Sequence, residues 1–210
     1  MGHAPVGCLL RNLEYLRRVA DAEPGIRTPR LIEPARMSIP ATAIPPGFQA
    51  HEFKRTFEFQ RGFTATWDVL MKTETFTRGQ PWPYRVEFID TLQPDGTVAR
   101  GFDVGTLNAH HGPFLNFCGV VSRVEVAEDR ASRDLEYAYG AYALAFRLIR
   151  PTRLGIDVES TGKASCRVTI RVESFVRPWI ASFWTFAQRG FWLGFGPALR
   201  RQIPKPTTGA

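Results

Sequence analysis

The stretch Asn108-Ala109-His110-His111-Gly112-Pro113 holds the residues of this chain best suited to chemistry. An imidazole donates, accepts or shuttles a proton near neutral pH. Neighbouring residues on a strand point to opposite faces, so His110 and His111 diverge and do not form a two-histidine chelate. Read as one strand, residues 100–110 place Phe102, Val104 and Thr106 on an apolar face, with Arg100, Asn108 and His110 on the same side. His110 then has two readings. It is a general acid/base able to enolise a ligand carbonyl, or it pins the corner at Gly112-Pro113 by hydrogen bonding to backbone. His51 is far away in sequence and the convergent ligands of a metal site are not found, so neither a metal nor another cofactor is expected. The sequence shows no nucleophile elbow, glycine-rich phosphate loop or Ser/His/Asp arrangement.

Arg55 is the second unusual residue. It shares parity with Phe53, Phe57 and Phe59, which directs it toward the apolar side. A guanidinium there needs an acidic partner or an anionic ligand group, or else it buries its stem and keeps its head in water. Tyr84, Tyr137, Tyr139 and Tyr142 offer hydroxyls that either orient a ligand or sit satisfied in the core.

These side chains must be positioned by the elements around them. Alternation at Phe53, Phe57 and Phe59 predicts a half-buried strand, and residues 65–71 suit a short helix, followed by a second short turn at residues 74–78. Six more strands follow. Pro94-Asp95-Gly96 reads as the turn of a hairpin joining residues 84–92 to 97–110. Residues 118–127 and 134–148 supply two further strands, with a bulge expected at Gly140. Residues 153–159 and 167–173 alternate most cleanly, one face dry and one wet. Residues 178–201 read as one long helix opened by Pro178. Ser182, Thr185 and Arg189 share one stripe, and Ile180, Phe183, Trp184, Ala187 and Phe191 cover the other side.

Composition narrows the classes. The chain has 210 residues, 44% of them hydrophobic, which is one domain's worth of core. Residues 1–47 are proline-rich and predict an extension with one short helix near residues 8–22, residues 48–204 the folded domain, and 205–210 a tail. Met37 is a candidate internal start. The 27 Lys and Arg exceed the 20 Asp and Glu by seven, but they are scattered and lack nucleic-acid motifs, so no nucleic-acid partner is expected. Three cysteines without metal-like spacing, and no visible secretory signal, predict a reducing, cytoplasmic setting.

Trp67 on the first helix, Trp82-Pro83 before the second strand, Asp95-Gly96 at the hairpin and the aromatic terminal helix form an ordered set. On that set, residues 50–203 resemble the START/polyketide-cyclase (SRPBCC) superfamily. The resemblance implies an α+β helix-grip fold: a seven-stranded curved antiparallel sheet wrapped around a long C-terminal helix, with two short helices after the first strand. It also implies a hydrophobic cavity between sheet and helix. Members bind lipids, hormones or polyketides, and some are cyclases or hydrolases, so activity must be read from the site.

The expected partner is therefore a hydrophobic or aromatic small molecule. Its expected contacts are Phe102, Phe183, Trp184 and Phe191 for the apolar body, and Arg55, Tyr84, Asn108, His110 and Tyr142 for orientation. The enzymatic alternative is a cyclase, dehydratase or hydrolase with His110 as acid/base. A third reading is a lipid carrier touching a membrane through exposed Phe and Trp, helped by Arg200, Arg201 and Lys205. Small residues at Thr106, Ala138, Gly140 and Cys166, facing Gly190, Gly194 and Gly196, fit either a void or close helix–sheet contact.

Overall fold

A computed structural model describes residues 43–78, 85–112, 117–140 and 148–204, all within one unit, Met37–Ala210. The helix expected near residues 8–22, the Trp82-Pro83 step, Tyr84, Tyr142 and Lys205 lie outside the described residues. Strand β1 (Gln49–Phe59) leads into helices α1 (Phe63–Leu70) and α2 (Thr73–Thr77). Then come β2 (Arg85–Ile89), β3 (Thr91–Leu92), β4 (Val98–Ala99), β5 (Leu107–His111) and β6 (Phe117–Val126). Next are β7 (Arg130–Gly140), β8 (Ile149–Gly162) and β9 (Ser165–Val176), and the described chain closes with a 3-10 turn (Pro178–Ile180), α3 (Ala181–Phe191) and α4 (Phe195–Gln202).

Seven strands form one sheet in the order β1-β9-β8-β7-β6-β5-β2, with every neighbouring pair antiparallel. Period-two patterning explains its inner face. Along β9, Cys166, Val168, Ile170, Val172, Ser174 and Val176 are all buried. Ile156 and Val158 of β8 pack beside them, opposite Ile170 and Val168 in register. Burying side chains of this size favours folding by about 1.5–3 kcal/mol each. Helix α1 lays Trp67, Val69 and Leu70 into the same core, and the Cys166 thiol donates to Thr66 Oγ1 at 3.2 Å. The architecture is thus α+β, with two short helices after the first strand and a long C-terminal helical segment.

Three details depart from the sequence reading. Residues 100–106 are not strand. Asp103 N donates to the Arg100 carbonyl at 2.9 Å, Thr106 N to the Asp103 carbonyl at 3.1 Å, and Gly101 and Gly105 take φ of +57° and +97°. Such left-handed backbone folds the chain over, and Val104 ends up exposed while Phe102 and Thr106 stay buried. The Asp95-Gly96 turn itself forms, with Asp95 Oδ1 accepting from Thr97 N at 2.9 Å. Second, the register between β6 and β7 slips at Ala138, two residues before the expected Gly140, which itself pairs with Phe117.

Third, the C-terminal helix is broken at residues 192–194. Pro197 lacks the N–H that would reach the residue 193 carbonyl, and its ring crowds that carbonyl, so it is tolerated only in the first turn of a new helix. Orientation also differs from expectation. Helix α3 buries Trp184 and Gln188 and turns Phe183 and Phe186 to solvent. Thr185, expected on the wet stripe, faces β1 and meets His51 Nε2 at 2.8 Å. No helix among the described residues is long and apolar enough to cross a membrane.

Candidate functional site

The inner face of the sheet carries a small polar group amid aromatic and aliphatic side chains. Strand β5 supplies Asn108 and His110; β7 supplies Arg133, Leu135 and Tyr137 at alternate positions. Asn108 pairs with Gly119 of β6, and Gly119 pairs in turn with Tyr137. A Cβ on Gly119 would fall 2.6 Å from Tyr137 Cδ1, so only glycine lets the phenol ring lie across β6. The Tyr137 hydroxyl then sits 3.3 Å from His110 Nε2, with the two rings edge to face at 5.5 Å. His111 instead meets the Glu87 carboxylate at 3.3 Å, so the two histidines have different partners.

Burial sets the charges of this group. Loss of water lowers the His110 pKa to about 4, with neighbouring His111 acting in the same direction, and the ring is a neutral imidazole at neutral pH. Burial raises the Tyr137 pKa, so the hydroxyl stays protonated. Asn108 is fully buried, and its Oδ1, like Thr106 Oγ1, has no hydrogen-bond partner among the described residues. Arg133 is 1% exposed. Its Nη1 donates to the Leu70 carbonyl at 2.7 Å, and its guanidinium lies 3.5 Å from the centroid of the Phe102 ring and 4.9 Å from that of Phe76. Burial brings its pKa down to about 9, which leaves it a cation at neutral pH.

These groups border a recess of about 560 Å³ between the inner face and the C-terminal helices. Phe88, Phe102, Leu135, Leu154, Val172 and Trp192 are among its apolar walls. Of the residues singled out in the sequence, Phe102, Asn108, His110 and Trp184 line it, and Phe191 does so while half exposed. Phe183 does not: it is 62% exposed on the solvent side of α3. Arg55 is also elsewhere. Its Nη1 donates to the Arg189 carbonyl at 2.9 Å, in the last turn of α3, where carbonyls lack helical partners and a cation is favoured. Gly196 allows close contact, since a Cβ there would sit 2.6 Å from the Phe57 ring, whereas Gly190 and Gly194 face open space along the recess.

A broader depression of about 850 Å³ lies on the outer face of the sheet, lined by Lys54, Arg123, Asp157, Arg167 and Arg171 among others. Its charges answer one another. Arg167 meets Glu58 at 2.7 Å, Arg171 meets Asp157 at 3.2 Å and Arg123 meets Asp134 at 3.2 Å. Pairs whose arginines all reach water describe a solvated face, not a receptor. Among the described residues no three His, Cys, Asp or Glu side chains cluster to hold a metal.

No family model matches the sequence, and no curated protein matches it either. Solved structures do match. Norcoclaurine synthase from Thalictrum flavum, in complex with dopamine and hydroxybenzaldehyde, is 15% identical over 90% of this chain and 100% of that one, with a TM-score of 0.53. A hypothetical protein from Helicobacter pylori is 11% identical over 87% of this chain and 98% of its own, also at 0.53. Human STARD10 is 13% identical over 96% and 80%, at 0.50. The chain has a START/SRPBCC-like helix-grip fold. At these identities the likeness establishes the fold alone.

Within that helix-grip frame, Arg133 is the site residue that sequence reading missed. The signal was present: Ala131, Arg133, Leu135 and Tyr137 alternate with Ser132, Asp134 and Glu136. Starting the strand at residue 134 cut Arg133 out of the dry parity to which it belongs.

Proposed function

We propose that the chain binds an apolar or aromatic small molecule in the recess between the sheet and the C-terminal helices. The observation that carries this reading is the composition of the recess: apolar walls with a few polar groups gathered on β5 and β7. Apolar walls supply affinity and sparse polar groups supply orientation. Phe102, Trp184 and Phe191 contact the body of the ligand, and Asn108 and His110 orient its polar end. Norcoclaurine synthase, which shares the fold, was solved with two aromatic molecules bound. Binding is favoured over turnover because a general base works best with a pKa near the working pH. An imidazole lowered to about 4 is instead a hydrogen-bonding partner. Native mass spectrometry of freshly purified protein should detect a retained small molecule. His110→Ala should weaken its binding about tenfold with little change in Tm. A large loss of stability with unchanged binding would assign His110 to the scaffold.

A second observation favours membrane contact as part of the same activity. Trp179, Phe183, Phe186 and Leu193 are all exposed and recur at helical spacing on the C-terminal segment. No Asp or Glu follows Glu173, whereas Arg177, Arg189, Arg200 and Arg201 do. Aromatic side chains on a basic segment without Asp or Glu complement a bilayer rich in anionic lipid. The full chain should co-float with phosphatidylserine-containing vesicles at low salt, and Trp179→Ser with Phe186→Ser should abolish this. Absence of flotation defeats the membrane reading, and a concentration-dependent dimer in its place would give the stripe to a second copy.

A further inference from the structure

We infer that the molecule held in the recess is an organic acid bound as its carboxylate, and that Arg133 is the residue that recognises that carboxylate. This rests on the ligand-binding reading above and sharpens it to a substrate class. Arg133 is buried on the inner face, borders the recess, and has no carboxylate within 4.0 Å among the described residues. Its in-register neighbours are Val124 on β6 and Ile156 on β8, and the next inward positions on β7 are Leu135 and Tyr137, whose hydroxyl stays protonated, so none of them is a counter-ion. By contrast, Arg123, Arg153, Arg167 and Arg171 on the outer face each lie within 4.0 Å of at least one Asp or Glu.

A buried, unpaired charge is among the most costly things a fold can hold, so its presence calls for a partner, and no carboxylate of the described residues supplies one. The surroundings show how Arg133 is prepared for one. The Leu70 carbonyl takes Nη1 and the Phe102 ring supports the flat face of the guanidinium, which fixes its plane and leaves Nε and Nη2 without an acceptor among the described residues. A guanidinium held in this way presents a planar fork that matches the two oxygens of a carboxylate. One cation neutralises one charge, which favours a monoanion over a phosphate dianion. The unpartnered Oδ1 of Asn108 adds an acceptor to the same recess, suited to a hydroxyl or amide elsewhere on the ligand.

The test compares three probes of one shape by calorimetric titration of the full chain near neutral pH: 2-naphthylacetate, 2-(2-naphthyl)ethanol and 2-naphthyl phosphate. The acetate should bind at least about tenfold tighter than the alcohol. Arg133→Met should bring that ratio to about one. If that variant fails to fold, Arg133→Lys, which keeps the charge and loses the fork, should cut the ratio about threefold or more. Equal affinities for acetate and alcohol in the unaltered protein would overturn this inference while leaving the ligand chamber standing. Tighter binding of the phosphate would overturn the carboxylate assignment. Binding of none of the three would overturn the chamber and this inference together.

Discussion

Arg133 on β7 and Arg153 on β8 stand close together in one sheet and face opposite ways. Arg153 looks outward, with Nη2 at 2.6 Å from Asp134 and Nη1 at 3.5 Å from Glu173. Its hydrogen bond to Asp134 raises its pKa. Arg133 looks inward, has a backbone carbonyl and two aromatic rings for company, and has its pKa lowered by burial. The same side chain is thus a closed circuit on one face and an open one on the other. The arginines of the outer face have their counter-ions at hand, whereas on the inner face Arg133 has no carboxylate partner among the described residues.

Removing one member of the outer network should have the largest effect. Asp134 is itself buried and holds both Arg123 and Arg153, so Asp134→Ala removes the closest counter-ion of each and leaves them only Glu125 at 3.6 Å and Glu173 at 3.5 Å. Because both arginines can reach water, the cost is about 2 kcal/mol, below that of a fully buried pair, and it is readable as a lowered midpoint in urea denaturation. If the variant matches the parent, the outer face is not the closed network described here.

Acidification probes the inner face. His110 has a folded-state pKa of about 4 against an ordinary 6.5. The unfolded chain therefore takes up a proton first, and stability that is complete above about 6.5 drains away as the pH falls toward 4. His51, also lowered by burial, acts in the same direction, so the comparison must be with His110→Asn, whose stability should fall less steeply over that interval. Identical slopes would mean that His110 is not desolvated. The smallest loss is expected from Arg133→Met, whose stability should equal or exceed the parent's, because relief of a costly buried charge and an apolar side chain of similar length offset the lost contacts to Leu70 and Phe102. A loss as large as that of Asp134→Ala would make Arg133 a structural strut.

Much of this was legible before any coordinates. Strands β8 and β9 announce themselves through strict alternation, and Asp95-Gly96 through its turn chemistry. Asn108 and His110 could be placed on one face by parity, even though the strand carrying them begins only at Leu107. What could not be read were the effects of backbone freedom and long-range packing. Gly101 and Gly105 take left-handed φ that no periodicity reports. Pro197 was compatible with the end of one helix or the start of another. Both sides of α3 carry aromatic residues, so hydrophobicity alone could not choose between burying Phe183 and burying Trp184. Arg133 was lost to a strand boundary drawn at residue 134, four residues after the strand begins at Arg130.

Gly190 and Gly194 have a consequence of their own. A methyl group at either position would meet no atom within 4 Å, and both border the recess. Alanine at Gly190 would even favour its helix by up to about 1 kcal/mol. The recess can therefore be narrowed one carbon at a time without disturbing the β scaffold behind it, which makes these two positions the natural dial for its width.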